Sequence, residues 1–291
     1  MHSLAVYRSA HRIALRDRTL QLLVLAAVVV ITSTFGWLLL DIVWHGANRI
    51  GWEFLTAAPR SAGRNGGIAP ILLATVLILT VALAVSAPLG LATAILLSEF
   101  SRPGGRAGYW IGLSLDILAG VPSIVFGLFG NAFFCVWLGL GFSILSGGLT
   151  LACMVLPILI RTAESGLRTV PNDWRLGAAA LGISKASALV NVLIPAAAPA
   201  LVAGLMLGIG RAMAETAALI FTSGYVDRMP ASLLDSGRAI SVHIYDLTMN
   251  VAGGDRSAYA SALVLIALLI LINGAASWLA ERTLKRRITA S

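Results

Sequence analysis

Charge is scarce in this 291-residue chain: 12% of its residues are Asp, Glu, Lys or Arg, about half the ~25% usual in soluble domains. Hydrophobic residues make up 58% and the mean hydropathy is +0.89. So few polar groups cannot cover a water-facing surface, which excludes an ordinary soluble domain. Low-complexity tracts are lacking and the 29 Gly and 10 Pro are ordinary numbers, which excludes disordered and collagen-like classes. The two cysteines, Cys135 and Cys153, fall inside apolar runs; they offer neither a disulfide framework nor a zinc spacing and read as packing residues. Four histidines, His2, His11, His45 and His243, show no metal-ligand spacing, and HExxH and GxSxG are missing, so no nucleophile or metal constellation is in view. His243, beside Tyr245 and Asp246, reads as a solvated loop histidine. The nearest approach to a phosphate-cradling Walker loop, Gly177-x4-Gly182, continues with Ile183 where Lys is needed. ATP binding by this chain alone is therefore not expected, nor is a cofactor or catalysis.

What the chain has in abundance is apolar runs long enough to cross ~30 Å of hydrocarbon, which takes about 18 helical residues or more. Six are found: Leu20 to Leu40, Ile68 to Ser98, about Tyr109 to Leu138, about Phe142 to Ile160, Ala196 to Phe221, and about Tyr259 to Ala280. The expectation is an all-α polytopic membrane protein of about six transmembrane helices. The first run follows Arg8, Arg12, Arg16 and Arg18. It is too long for a signal peptide and lacks a small-residue cleavage site, so it reads as a retained signal anchor.

The net charge of +8 would suit a nucleic-acid binder if the basic residues formed one patch. They sit instead at the ends of the apolar runs, as membrane anchors do. With six spans, the N-terminal segment 1–19, the loops near 99–108 and 161–195, and the tail 281–291 share one side and hold fourteen Lys/Arg. The opposite loops, 41–67, 139–141 and 222–258, hold six. Because Lys and Arg are retained inside, both termini are expected in the cytoplasm. Trp37, Trp44, Trp52, Trp110 and Trp278 near run ends fit an interfacial belt. Pro122, in the third run, removes one backbone hydrogen bond and is a candidate kink, with Gly120 and Ser123 beside it.

The loop 161–195 is long for an inner connection. Pro171-Asn172-Asp173 reads as a helix start capped by Asn172 or Asp173, an Ala-rich stretch follows, and Gly182 ends it. A short helix with small side chains at the membrane surface would let another protein approach closely. This segment resembles the EAA loop of binding-protein-dependent ABC importer permeases. Counted from Gly182, the Ala pair of that pattern falls on Gly177 and Ala178, its Glu on Leu176, and its end on Val192-Leu193-Ile194-Pro195. Gly and Pro match in register; the glutamate is absent, which removes one polar contact to an ATPase.

The fifth run contains Gly204, Gly208, Arg211 and Glu215. Helical spacing would place them on one face as a polar and small-residue stripe. A charge at the bilayer centre costs ~2.5–3.5 kcal/mol, so such a face should meet protein or a water-filled path. Arg211 could meet an anion, since a guanidinium fork suits phosphate oxygens, with Glu215 holding the arginine. The structural alternative is an internal Arg211–Glu215 pair, with Asp116 as a further partner.

Together with Gly63-Arg-Asn-Gly-Gly67, Pro88-Leu-Gly90, Gly120-Val-Pro-Ser-Ile-Val-Phe-Gly-Leu-Phe-Gly130, Ser241-Val-His-Ile-Tyr-Asp246 and Gly253-Gly254, the Arg211-x-x-x-Glu-Thr-Ala segment is similar to permease subunits of the phosphate ABC transporter family, PstA type. Ala214 stands where that pattern often has Gly. The resemblance implies a MetI-like type-I importer permease with its core over 68–280 and the first helix, 20–40, peripheral. It implies a path through Arg211, Glu215 and Arg161, Arg161 being placed either on the path or at the inner interface. The implied partners are a second homologous permease, a dimer of a cytoplasmic ATPase docking on Leu176, Gly177, Ala178, Gly182 and Pro195, and an extracytoplasmic phosphate-binding protein. Phosphonate or sulfate is the alternative cargo, and a secondary transporter the alternative class; no inverted repeat is evident.

Overall fold

The computed structural model describes residues 2–101 and 105–288, and the side chains of 18–101, 105–106 and 108–278. Residue Arg102 and the side chains of Arg8, Arg12, Arg16 and the basic residues of the tail therefore lie outside what is described.

In chain order the elements are α1 (His2–Gly46), α2 (Trp52–Thr56), a hairpin of β1 (Pro59–Arg60) and β2 (Asn65–Gly66), α3 (Ala69–Ile95), α4 (Arg106–Gly120), α5 (Ser123–Gly130), α6 (Ile144–Thr169), α7 (Asn172–Ala180), α8 (Lys185–Ala188), α9 (Ile194–Met213), α10 (Ala217–Ile220), α11 (Ile240–Met249) and α12 (Asp255–Ile288). Short π-helical segments prolong α3 (Leu96–Phe100) and α5 (Asn131–Trp137) and join α8 to α9 (Leu189–Leu193). Among the described residues, five helical stretches are long and apolar enough to cross a membrane: Arg18–Arg49, Ala69–Phe100, Ile144–Thr169, Lys185–Met213 and Asp255–Trp278.

The third apolar run is not a straight span. Gly108–Gly120 and Ser123–Trp137 are bent by 100° at Val121 and Pro122. Pro122 has extended backbone (ψ 143°) and starts α5, so the proline divides the run into two helices instead of kinking one. The fifth run is also redrawn. Its helix begins eleven residues earlier, at Lys185, and stops at Met213. The stretch 161–195 is consequently no open loop: α6 continues to Thr169, and α7, α8 and the π segment occupy most of the rest.

α6 is the central post, with 67% of its apolar window buried against none for the first span. Around it close Ala74, Ile78 and Ala82 of α3, Phe126 of α5, Ala212 of α9, Leu219 of α10 and Val242 of α11. α6 and α9 approach closely because glycines line the contact. A Cβ at Gly208 would lie 2.7 Å from Val155 Cγ1, and one at Gly204 would collide with the Thr162 hydroxyl. In a bilayer, where apolar burial supplies no net drive between helices, such close backbone packing is the main attraction available.

The two ends of the bundle differ. At one end lie α7 and α8; at the other, here the hairpin end, lie β1, β2 and α11. His243 is completely buried there, on a helix and not in a solvated loop. Its burial follows from docking of α11, whose Ile240, Val242 and Leu247 are fully enclosed. Arg238 reaches the same pocket, 3.0 Å from Asp246 and 3.4 Å from His243 Nδ1. Gly63 of the hairpin closes over the imidazole, at a distance that leaves no room for a Cβ, which would stand 2.8 Å from Cε1. Burial first, and the Arg238 charge second, push the imidazole pKa down to about 4, against the opposing pull of Asp246.

Candidate functional site

Arg211 occupies the last turn of α9 and is exposed, although Ala212 and Met213 beside it are buried. The Gly204–Thr162 and Gly208–Val155 contacts set Arg211 level with the segment of α6 around Val155. At 1.5 Å per residue that is about 16 Å from the hairpin end of a helix about 39 Å long, so the guanidinium sits near mid-depth. The negative end of the α9 dipole favours a cation there.

The expected Arg211–Glu215 face does not form. α9 ends at Met213, the backbone turns at Ala214 (ψ −6°), and Glu215 lies outside the helix. Its carboxylate accepts a hydrogen bond from Ala218 N–H (3.3 Å), and its carbonyl accepts one from Ser241 Oγ (2.5 Å). Among the described residues neither Arg211 nor Glu215 belongs to an ion pair. Gly204 and Gly208 do not extend the Arg211 face either; they form the packing surface against α6. Non-helical backbone at membrane depth survives only where protein satisfies it or where it lines a wet cavity. Here Ser241 of α11 serves the break, Thr75 Oγ1 of α3 accepts from Ile240 N–H (2.9 Å), and Asn131 donates to the Phe221 carbonyl (2.8 Å). Reading the sequence alone missed Thr75 and Asn131; their signal is a polar side chain inside an apolar run.

Arg161 is elsewhere. It lies about 9 Å further along α6 from the level of Arg211, towards α7, and it is fully engaged. Nη2 donates to Asp116 Oδ1 (2.6 Å) and to the Gly112 carbonyl (2.8 Å), and Nη1 lies 3.3 Å from Glu164 Oε2. Asp116 thus partners Arg161 and not Arg211. Glu164 also holds Arg168 at 3.0 Å, and Arg168 donates to the Leu97 carbonyl. This network clamps α4 and the end of α3 to α6.

The short helix α7 is present, but its cap differs from expectation. Pro171, with ψ 140°, occupies the N-cap and no side chain caps the helix, so Asn172 and Asp173 lie inside its first turn. Gly182 ends the turn after it at φ +70°, a conformation that glycine adopts without the steric cost of a Cβ. Leu176 is 60% exposed and Gly177 is exposed, whereas Ala178 is buried. Pro195 is half-buried where the π segment passes into α9, inside the continuous helical stretch Lys185–Met213, so its missing N–H leaves a carbonyl of the preceding turn without that donor. Unforeseen from sequence is what fastens α7. Arg175 forms a two-pronged pair with Glu99 (2.6 and 3.1 Å) and donates to the Leu167 and Val170 carbonyls. Lys185 donates to the Glu99 carbonyl and lies over the Phe100 ring at 4.2 Å.

A bundle with a broken span at mid-depth and a helix presented at one end is the build of a transporter subunit, and comparison with known proteins agrees. Residues 86–287 match the model of the family described as binding-protein-dependent transport system inner membrane component. The chain belongs to that family, an ABC importer permease family whose members work with an ATPase, a substrate-binding protein and a second permease. It is 32% identical over 256 residues to the phosphate transport system permease protein PstA 1 of Mycobacterium tuberculosis (86% of this chain, 83% of that protein). It is 36% identical over 214 residues to the PstA protein of Mycobacterium leprae (72% and 68%). It is 29% identical over 260 residues to a probable ABC transporter permease protein, YqgI, of Bacillus subtilis (84% and 88%). Among solved structures, a bacterial ABC transporter involved in import of the acidic polysaccharide alginate matches with TM-score 0.63 at 13% identity, covering 92% of this chain and 96% of that one. The MetNI methionine ABC transporter in an inward-facing form matches with TM-score 0.56 at 17% identity, covering 75% and 94%. At such identities the structures attest the fold: an all-α, MetI-like permease, as the sequence led us to expect.

Proposed function

We propose that this chain is the permease subunit of an ATP-driven importer for inorganic phosphate, with Arg211 on the anion path. The observation that carries the reading is an arginine in the last turn of α9, level with the middle of α6, exposed on the surface of the chain and free of any ion pair among the described residues. Facing lipid, it would be costly; facing a second permease across a wet path, it offers fixed donors to a tetrahedral oxyanion. The similarity to PstA proteins over more than four-fifths of the chain supports phosphate as that anion.

The hairpin end, with loops 41–67 and 222–258, faces outwards and receives a phosphate-binding protein. Both termini, 1–19 and 281–291, are cytoplasmic, and the core of the subunit is 68–280 with helix 20–40 at its periphery. Two copies of a cytoplasmic ATPase dock on the inner ends of this subunit and of a second, related permease. On this chain the contact falls on Leu176, Gly177, Ala178 and Gly182, with Pro195 fixing the return into α9. ATP-driven closure of the ATPases displaces α7 and turns the path outwards. The coupling requires that the anion bind the two states with different affinity. Glu215, without a cationic partner, lowers the net positive field at the break and keeps the anion from being held too firmly. Arg161, saturated by Asp116, Glu164 and Gly112, is a structural clamp at the inner side and not a path residue.

The test is ATP-driven phosphate uptake by the reconstituted complex, wild type against Arg211→Gln, with assembly and ATPase docking checked. Uptake is expected to fall at least tenfold with the complex intact. Unchanged uptake would return Arg211 to a packing role. Wild-type uptake of sulfate or phosphonate in place of phosphate would reassign the cargo.

A further inference from the structure

At the hairpin end, where α1 meets the start of α12, lies an open cleft of about 440 Å³ lined by Trp44, His45, Asn48, Arg49 and Arg256. Two of these are cations, and neither has a carboxylate partner among the described residues. Arg49 is held by the Arg64 carbonyl and lies 5.8 Å from the Phe54 ring centre, yet its Nε is buried with no hydrogen-bond acceptor. A buried donor on a charged group left without an acceptor is costly unless something else fills the place. Arg256 is exposed in the first turn of α12, the helix end at which the macrodipole opposes a cation. An anion lodged beside the two guanidinium groups supplies the countercharge that neither finds among the described residues and offsets the unfavourable helix end at Arg256.

The surroundings identify the kind of anion. His45 is committed to Asp41, at 3.0 Å. Trp44 is 79% exposed, and Leu40 and Val43, on the preceding turn of α1, are also exposed. The cleft therefore stands where an apolar, lipid-facing helix surface gives way to polar residues, the level at which tryptophan and phospholipid headgroups meet. Paired arginine forks match the oxygens of a phosphodiester.

We propose that this cleft is a phosphate-group site occupied by the headgroup of an anionic phospholipid, which fastens the first helix to the last. Free inorganic phosphate carries the same oxygens, so the test separates the two sources. Full-length protein in mild detergent is titrated with short-chain phosphatidylglycerol, with phosphatidylcholine, or with inorganic phosphate. Bound ligand is read by native mass spectrometry and by the shift in thermal midpoint. The expected result is retention of phosphatidylglycerol in preference to phosphatidylcholine, weakened about tenfold by Arg256→Gln and similarly by Arg49→Gln. Arg256 is exposed with no intramolecular contact at stake, so Arg256→Gln remains informative if Arg49→Gln fails to fold. Retention indifferent to both substitutions, or equal for the two lipids, overturns the proposal. Retention of inorganic phosphate alone overturns the lipid as occupant.

Discussion

The α7 end and the mid-depth break treat arginine in opposite ways. At the α7 end Arg161, Arg168 and Arg175 are each bound to a carboxylate and to at least one backbone carbonyl; Glu164 serves Arg161 and Arg168 from their own helix, while Asp116, Gly112, Leu97 and Glu99 reach them from other elements. At the break, Arg211 is exposed and Glu215, four residues on, spends its carboxylate on a backbone N–H. An arginine surrounded by acceptors joins helices; an arginine without an ion pair, as Arg211 is among the described residues, keeps its field available, which is what the proposed anion path requires. The two roles cannot be told apart by residue type, only by what the fold brings within reach.

The comparison can be broken most forcefully at the Glu99–Arg175 pair. Glu99 is 7% and Arg175 24% exposed at the side chain, so removing one partner strands a largely buried charge, which costs about 3 kcal/mol. Arg175→Met should therefore lower the thermal midpoint markedly and open 172–184 to protease, while leaving the Arg211 region unaltered. A midpoint within error of wild type would mean that α7 is held by packing alone.

The hairpin end supplies a second contrast, because its buried cluster is held by a neutral imidazole. The His243 pKa is about 4 in the folded chain against an unfolded value near 6.5. The unfolded state thus binds more protons between those values, and stability present above pH 6.5 is lost as the pH falls towards 4. Thermal midpoints of detergent-solubilised protein should fall across that window, and His243→Leu should flatten the fall. An equal slope in the variant would assign the acid sensitivity to other groups.

Smaller effects sharpen the boundary between clamp and path. Gly182→Ala places a Cβ at φ +70° in open space, a conformational cost of about 1 kcal/mol. It should weaken ATPase docking in a pull-down more than it changes the melting temperature. Arg161→Met breaks the pair with exposed Asp116 and the contact with Glu164, whose side chain is 12% exposed but keeps Arg168 as a partner, so the loss should be on the order of 1 kcal/mol. If Arg161 only clamps, uptake should stay within a few-fold of wild type. A loss as deep as that expected of Arg211→Gln would put Arg161 on the path.

The spans were legible in the sequence because twenty consecutive apolar residues have few alternatives to crossing a bilayer. The short helix before Gly182 was legible for a similar reason: Ala propensity and a terminating glycine act locally. Two of the main features of the candidate site were not. The stop at Met213 has no local signal, since Ala214, Glu215 and Thr216 could continue a helix. The freed Glu215 carbonyl accepts from the hydroxyl of Ser241, twenty-six residues away, a partner that no local pattern announces. The partner of Arg161 is likewise forty-five residues distant, across the bend at Pro122. His243 was misread because 240–249 is short and mixed in character, and only docking beneath the hairpin removes it from water.

The glycine-lined seam between α6 and α9 has one more consequence. With Gly166 against Ala200, Gly204 against Thr162 and Gly208 against Val155, the two helices meet through short side chains at three levels, Leu159 beside Gly208 being the one long side chain at these contacts. If the ATPase docks on α7 as proposed, close contacts of this kind should act as a stiff lever, and a displacement applied at α7 and α8 should reach residue 211 with little slack. The stroke delivered at mid-membrane should therefore be nearly as large as the one received at the surface. Inserting bulk at Gly204 or Gly208 should blunt that stroke before it unfolds the bundle.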